Sequence, residues 1–228
     1  MKPTLVEKEV VYFEDVYDNI EEIIDTIFNL NCEIVTDWEP WYGGGDPEGS
    51  QYGHTKFLRG WAIEAQEEGS DKEKSIWLIE TLRKGMEEAF LSYSEIFNID
   101  EVSIRFGKKA MREQSAQIGV SYYLPGDGMG PHIDWNEFNS DISYTIVVYL
   151  NDDYEGGELS FVEPELEGLK IKPKSGSIVI FPSFMPYKHK SEPIPSGRKM
   201  LITHHWKGGK KLKRIQHLLS VLKEKNNA

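Results

Sequence analysis

The sequence predicts a mainly β fold with flanking helices, an antiparallel sandwich or barrel, and three observations predict it. From residue 100 onward short β-prone runs follow one another without a helix between them: EVSIRF, SAQIGVSYYL, ISYTIVVYL, GELSFV, LKIKP, GSIVIF and KMLITHHW. Turn signals separate them at PGDG, NDDYEGG, KPKSG and IPSG. Before residue 100 the apolar residues recur at helical spacing instead. Strands that follow one another without crossover helices pair antiparallel, because a parallel neighbour needs a long connection.

The elements follow in order. DVYDNIEEIIDTIFNL sets Ile20, Ile23, Ile24, Ile27 and Phe28 on one helical face, with acids on the other. EKSIWLIETLRKGMEEAFLSYSEIF repeats the pattern through Ile76, Ile79, Leu82, Met86, Phe90, Tyr93 and Phe97. Stripes of this kind are core packed against a sheet rather than a cofactor box. Between them lies DWEPWYGGGDPEGSQYG (37–53), long for a loop in a compact domain and rich in glycine and aromatics. The chain thus reads as a single domain over 1–228: a helical support region at 1–100 with the loop at 37–53, a β core at 101–207, and a C-terminal helix at 208–228. That last helix comes from KRIQHLLSVLKEK, where Ile215, Leu218, Leu219 and Leu222 align and His217 falls off the stripe.

Charge and cysteine content narrow the function. Lysines and arginines number 26 and acids 38, so the balance is 26 − 38 = −12, which argues against general affinity for nucleic acid or an anionic membrane. The basic run KGGKKLKR (207–214) reads as a solvated helix start. One cysteine, Cys32, excludes an internal disulfide and fits a reducing compartment. The N-terminal stretch has no signal-peptide core, and no run approaches the ~20 apolar residues of a membrane span, so a cytoplasmic protein is expected. Oligomeric state leaves no mark in the sequence.

The chemistry concentrates in GPHIDWNEF (130–138), where His132 and Asp134 stand two apart. On a strand, residues i and i+2 point to one side, so an imidazole and a carboxylate converge. Two histidines and a carboxylate on one face of an octahedral ion leave three positions open, which suits non-heme Fe(II). An HxD pair alone is weak, and two polar residues near a turn is the competing reading. A third ligand would come from His189, His204, His205 or His217. His204 and His205 are strand neighbours, so at most one faces the barrel, and packed strand histidines are the simpler reading of both.

The order of the surrounding motifs adds more. YLPGDGMGPHID, a strand ending YLND, GGELSF, PKSGSIVIFPS and HKSEPIPSGRK follow one another, and over roughly 118–206 the chain resembles the 2-oxoglutarate- and Fe(II)-dependent dioxygenases of the prolyl 4-hydroxylase-like branch. The resemblance implies a double-stranded β-helix (jelly roll) buttressed by the N-terminal helices. It implies His132, Asp134 and His189 as the metal ligands, with Pro193, Ile194 and Gly197 at the branch's offsets after the distal histidine. It also implies Fe(II), 2-oxoglutarate and O2 as cofactors, with ascorbate as reductant. The far carboxylate of 2-oxoglutarate must be buried, and a buried carboxylate needs a cation and hydrogen-bond donors. Lys199 fits the branch's spacing, with Arg198 the fallback because only one of these neighbours faces inward. Thr203, Tyr149 and Tyr123 match hydroxyl positions near the cosubstrate, and Thr145 and Val147 share the face of Tyr149; plain core packing is the competing reading for both tyrosines.

The reaction implied is oxidative decarboxylation of 2-oxoglutarate coupled to C–H hydroxylation, with no acid–base side chain required. The branch points to a prolyl residue in a peptide or protein as substrate. A free amino acid, a small metabolite or a nucleic-acid base under the same chemistry remains open, as does a non-enzymatic jelly-roll binding module. Trp38, Trp41 and Tyr42 form either an aromatic lid over substrate or anchors for their loop, and Trp135 stands next to the ligands at the mouth of the site.

Overall fold

The computed structural model describes residues 1–29, 39–40, 54–58, 70–114, 118–135 and 142–207. The helix expected at 208–228 with His217, and Trp38, Trp41 and Tyr42 of the 37–53 loop, lie outside the described residues. Twelve strands are described: β1 (Leu5–Glu7), β2 (Val10–Phe13), β3 (Glu39–Pro40), β4 (His54–Leu58), β5 (Ile118–Tyr123), β6 (Met129–His132), β7 (Ile142–Tyr149), β8 (Leu159–Phe161), β9 (Lys170–Ile171), β10 (Ser177–Pro182), β11 (His189–Ser191) and β12 (Lys199–Lys207). They pair antiparallel into a larger sheet of order β1-β2-β10-β7-β12-β5-β4-β3 and a smaller one of order β6-β11-β8-β9. The helices are α1 (Ile20–Asn29), α2 (Ser70–Ile96) and α3 (Glu101–Gln114). None is long and apolar enough to cross a membrane among the described residues.

Strand alternation builds two cores from the larger sheet. Val11 and Phe13 of β2, Tyr144, Ile146 and Val148 of β7, Ile178 and Ile180 of β10, and Met200, Ile202 and Trp206 of β12 pack on the helices. Their neighbours Val10, Tyr12, Val147, Tyr149, Val179, Phe181 and Leu201 face the smaller sheet. A strand covered on both faces reads as an unbroken apolar run. That is the physical basis of VVYF, TIVVY and SIVIF.

Helix α2 supplies Leu78, Leu82, Met86, Ala89, Phe90 and Tyr93 to the outer core. Phe90 stacks on Trp206 with centroids 3.8 Å apart and meets Tyr144 edge-on. Helix α1 buries Ile23 and Ile27. Phe28, expected on its apolar stripe, is instead 37% exposed, so the buried face of α1 is narrower than the periodicity suggests.

Two expectations are corrected. The first hundred residues are not wholly helical, because LVEKEVVYF forms the hairpin β1–β2, and β2 completes the larger sheet beside β10. EVSIRF is not a strand but the first turns of α3. Its Val/Ile/Phe alternation mimics a strand, yet among the side chains described Ser103 and Gly107, four apart, are buried, while Glu101, Arg105 and Lys109 are exposed. Asp100 caps the helix, accepting the Ser103 N–H at 2.9 Å and its hydroxyl at 3.1 Å. Arg105 pairs with Glu101 one turn back.

Gly107 lets α3 lie directly on Trp206. A Cβ there would stand 1.2 Å from Trp206 Nε1, inside the indole ring. Alanine normally favours a helix over glycine by about 1 kcal/mol. Here Gly107→Ala is expected to destabilise by about 2 kcal/mol or more, since a buried indole must move. Thermal unfolding checks this: an unchanged or higher Tm would overturn the packing.

Candidate metal centre and anion pocket

His132 ends β6 and His189 begins β11, and the ladder between these strands sets the two residues opposite one another. Their rings lie 4.4 Å apart. The Nδ1 of His132 stands 2.8 Å from the Gly130 carbonyl, and that of His189 3.1 Å from the Tyr187 carbonyl. A carbonyl only accepts, so each Nδ1 carries a proton and, when the ring is neutral, each Nε2 is left with its lone pair. Both Nε2 atoms face Asp134: His132 Nε2 is 3.5 Å from Oδ1, and His189 Nε2 is 3.7 Å from Oδ2. The candidate ligand atoms of His132, Asp134 and His189 all lie within 4.8 Å of one another.

The convergence does not arise from strand alternation as expected. β6 stops at His132, and Asp134 sits in the bend beyond it. Its side chain is held from the larger sheet, where Thr145 Oγ1 donates to Oδ2 at 2.5 Å.

Electrostatics favour the ligand forms of Asp134 and His189. Burial opposes ionisation of Asp134, but the hydrogen bond from His132 and the nearby His189 and His205 keep its carboxyl well below the usual range. Burial pushes His189 down to about 4, partly offset by the charge of Asp134, so its imidazole is neutral near pH 7. His132 is also penalised by burial, yet its hydrogen bond to and charge attraction with Asp134 raise it above the ordinary value. Phe181 meets His189 edge-on at 4.7 Å and Phe161 lies at 6.2 Å, so an apolar wall backs the buried ligand. Two imidazole nitrogens and a carboxylate are a donor set that fits an octahedral divalent ion and would leave it several exchangeable positions.

A second feature lies deeper. Lys199 is 1% exposed. Its ammonium donates to the Gly157 carbonyl at 2.6 Å and to Ser191 Oγ at 2.8 Å, and stands 5.6 and 5.4 Å from the ring centres of Tyr123 and Tyr149. No carboxylate lies within ion-pair distance of it among the described residues. Burial, with Lys172 nearby and Glu158 in opposition, lowers Lys199 to about 7. Gly157 has φ +66°, and a Cβ there would press on Tyr154 and on the Lys199 stem, so this turn makes room for the lysine. A buried cation without a counter-charge fits an incoming carboxylate.

The remaining sequence candidates fall on either side of this site. Arg198 points outward, exposed, toward the rings of Phe28 and Tyr122, so of the two neighbours Lys199 is the buried one. Tyr149 and Tyr123 are buried beside Lys199, and burial raises both phenols above their ordinary value. Thr203 shares the face of Lys199 but is exposed and about 13 Å further along the strand. Trp135 is half-buried, its N–H donating to the Ser183 carbonyl at 2.9 Å.

Of the adjacent histidines, the buried His204 lies on the helix side of β12 with Met200, Ile202 and Trp206. His205 lies on the inner face, where the charge of Asp134 acts on it. Sequence reasoning missed Ser191 and Gly157 as partners of Lys199, Thr145 as a partner of Asp134, and Ser183. The spacing H-x-S at 189–191 was a usable signal for Ser191, since it shares a strand face with His189. Gly157 and Ser183 lie in the quoted stretches GGELSF and PKSGSIVIFPS, but nothing in their spacing marks the partners they take.

Residues 118–207 match the 2OG-Fe(II) oxygenase superfamily. A PKHD-type hydroxylase of Crocosphaera subtropica is 34% identical over 91 residues, which are 37% of this chain and 40% of that protein. One from Prochlorococcus marinus is 41% identical over 78 residues, 32% of this chain and 34% of its own. The chain thus spans 40% or less of the length of these curated relatives. Among solved structures, a viral collagen prolyl hydroxylase from Paramecium Bursaria Chlorella virus-1, in complex with 2OG, superposes with TM-score 0.55 at 19% identity, over 89% of this chain and 97% of that one. A prolyl hydroxylase from Trichoplax adhaerens, in complex with a hypoxia inducible factor oxygen degradation domain peptide fragment, gives TM-score 0.58 at 17% identity, over 89% and 85%. At such identities the likeness shows the fold, a jelly roll.

Proposed function

We propose that residues 118–207 are the catalytic core of a 2OG-Fe(II) oxygenase, a hydroxylase that couples oxidative decarboxylation of 2-oxoglutarate to insertion of oxygen into a C–H bond. One observation carries this reading: a two-histidine, one-carboxylate cluster and a buried lysine with no carboxylate partner among the described residues meet along β11, where Lys199 donates to Ser191, two residues from His189. A site for a metal alone would not need that lysine, and an anion site alone would not need the cluster.

In this reading His132, Asp134 and His189 hold Fe(II), which supplies the activation of dioxygen. Carbonyl bonds to both Nδ1 atoms fix the imidazole tautomers and aim each Nε2 inward. Phe161 and Phe181 keep water from the back of His189. Lys199 binds the far carboxylate of 2-oxoglutarate, and Tyr149 and Tyr123 wall that pocket. Ascorbate serves as reductant. The substrate is a prolyl residue in a peptide or protein; the prolyl hydroxylase names among the structural neighbours, one with a bound peptide, support this. Trp135, the residue after Asp134, contacts it.

Purified protein with Fe(II), ascorbate and 2-oxoglutarate is expected to release succinate and to add the mass of one oxygen atom to proline-containing peptides, read by mass spectrometry. Succinate release with free amino acids but no peptide would sink the substrate assignment. No succinate with any candidate would sink the oxygenase reading in favour of a binding module.

A further inference from the structure

We infer that Thr145 and Ser183 are positioning residues that hold Asp134 as a one-oxygen metal ligand, reserving Oδ1 for the ion and Oδ2 for the protein. The inference rests on the metal reading of this site. It begins from a weakness in the architecture: Asp134 lies past the end of its strand, so no ladder sets its rotamer.

Two hydroxyls supply what the backbone does not. Thr145 Oγ1 is 2.5 Å from Asp134 Oδ2, and Thr145 Oγ1 and Ser183 Oγ are 2.8 Å apart, with Thr145 and Ser183 both buried. An ionised carboxylate only accepts, and the Thr145 hydroxyl lies in donating geometry to Oδ2. The single proton of Thr145 therefore goes to Oδ2. Ser183 must then donate to Thr145, which fixes the direction of the whole chain: Ser183 to Thr145 to Asp134. The backbone ties both ends together. The Ser183 N–H donates to the Ser143 carbonyl at 3.1 Å, and the Ser183 carbonyl accepts the N–H of Trp135, the residue after the ligand, at 2.9 Å.

The consequence is a count of metal positions. A carboxylate that bound through both oxygens would take a fourth position and leave two on an octahedral ion. A chelating cosubstrate and dioxygen together need three. Occupying Oδ2 with a strong hydroxyl donor from β7 keeps the third one free. A threonine in the middle of an inward-facing apolar strand, between Ser143 and Val147 along β7, otherwise has no structural need of its hydroxyl.

The test titrates metal-free wild type, Thr145→Val, Thr145→Ser and Ser183→Ala with Co(II), following the visible absorption, and with Mn(II) by calorimetry. Thr145→Val keeps the side-chain shape and removes the donor. It is expected to weaken Co(II) binding by about 10-fold or more and to change the shape or intensity of the absorption bands. Thr145→Ser restores affinity and spectrum, and Ser183→Ala shows a smaller loss in the same direction. Melts of the metal-free proteins separate positioning from folding, and if Thr145→Val does not fold, the Ser183→Ala and Thr145→Ser pair decides. Wild-type affinity and spectrum in Thr145→Val would overturn the inference, as would Thr145→Ser binding as weakly as Thr145→Val. Wild-type protein that takes up neither ion would overturn the metal reading and this inference with it.

Discussion

Replacing His189 by alanine is expected to abolish uptake of a divalent ion and all turnover, whereas replacing His204 by leucine leaves both in place. His189 is one of three groups whose ligand atoms lie within 4.8 Å of each other, and the other two cannot hold the ion on one face by themselves. Its loss also opens a void against Phe181 and Phe161. His204 lies in β12, but its side chain leaves the opposite face of the strand, among the residues packed on the helices. Isothermal titration with Co(II) distinguishes the two variants. Uptake lost in His204→Leu but kept in His189→Ala would sink the ligand assignment. His204 has a separate effect on stability. Burial, helped by the neighbouring His205, lowers it to about 3 from an ordinary 6.5. Between those values the unfolded chain binds the extra proton, so this residue makes stability fall as pH drops below about 6.5. His204→Leu is expected to flatten that acid limb while binding metal normally.

Lys199→Met is expected to abolish 2-oxoglutarate binding while making the protein more stable. Leaving a carboxylate buried beside methionine instead of an ammonium removes a charge-assisted pair, a loss of about 3 kcal/mol or more, which is a hundredfold or greater in affinity. The stability gain follows from the same burial. Lys199 falls from an ordinary 10.5 to about 7 on folding, chiefly through desolvation. The unfolded chain therefore binds more protons between those values, and the penalty of carrying the charged lysine is fully present below pH 7 and relieved as pH rises toward 10.5. Methionine removes it. Part of the gain is offset by the lost bonds to Gly157 and Ser191, so about 1–2 kcal/mol is expected near neutral pH, or an upward shift of about 2–8 °C in Tm. For wild type the dianionic ligand binds the charged lysine, so affinity declines as pH rises above 7 and binding takes up a proton. Calorimetry of 2-oxoglutarate on the Mn(II)-loaded protein in buffers of different ionisation enthalpy reads that proton. Unchanged affinity in Lys199→Met, or its loss in Arg198→Ala instead, would overturn the placement of the carboxylate.

These expectations depend on features that differ in how visible they are along the chain. The antiparallel β half was legible because TIVVY and SIVIF are apolar runs of strand length bounded by turn residues, and burial on both faces produces that pattern. The helix α3 was not, because Val102, Ile104 and Phe106 alternate as a strand would. The informative signals were weaker: the Asp100 cap, the Glu101–Arg105 pair and a glycine whose purpose is the indole of Trp206, almost a hundred residues later. The hairpin β1–β2 was hidden for a related reason: LVEKEVVYF is short, and its place in the sheet depends on β10, which arrives more than 160 residues further on.

At the site, the residue types and spacings of His132, Asp134 and His189, with Lys199 ten residues after the last, are written into the sequence, and the β6–β11 ladder sets His132 opposite His189, while Asp134 lies beyond its reach. The sequence also determined that His204 and His205 face opposite ways, since neighbouring strand residues always do. Tertiary structure alone decided which of them looks inward, that Lys199 rather than Arg198 is buried, and that Asp134 takes its orientation from Thr145 across the barrel. Each of those outcomes depends on which sheet face meets the helices and on contacts between residues 11 to 42 positions apart. Local spacing carries no information about such contacts; the packing of one sheet on the other does.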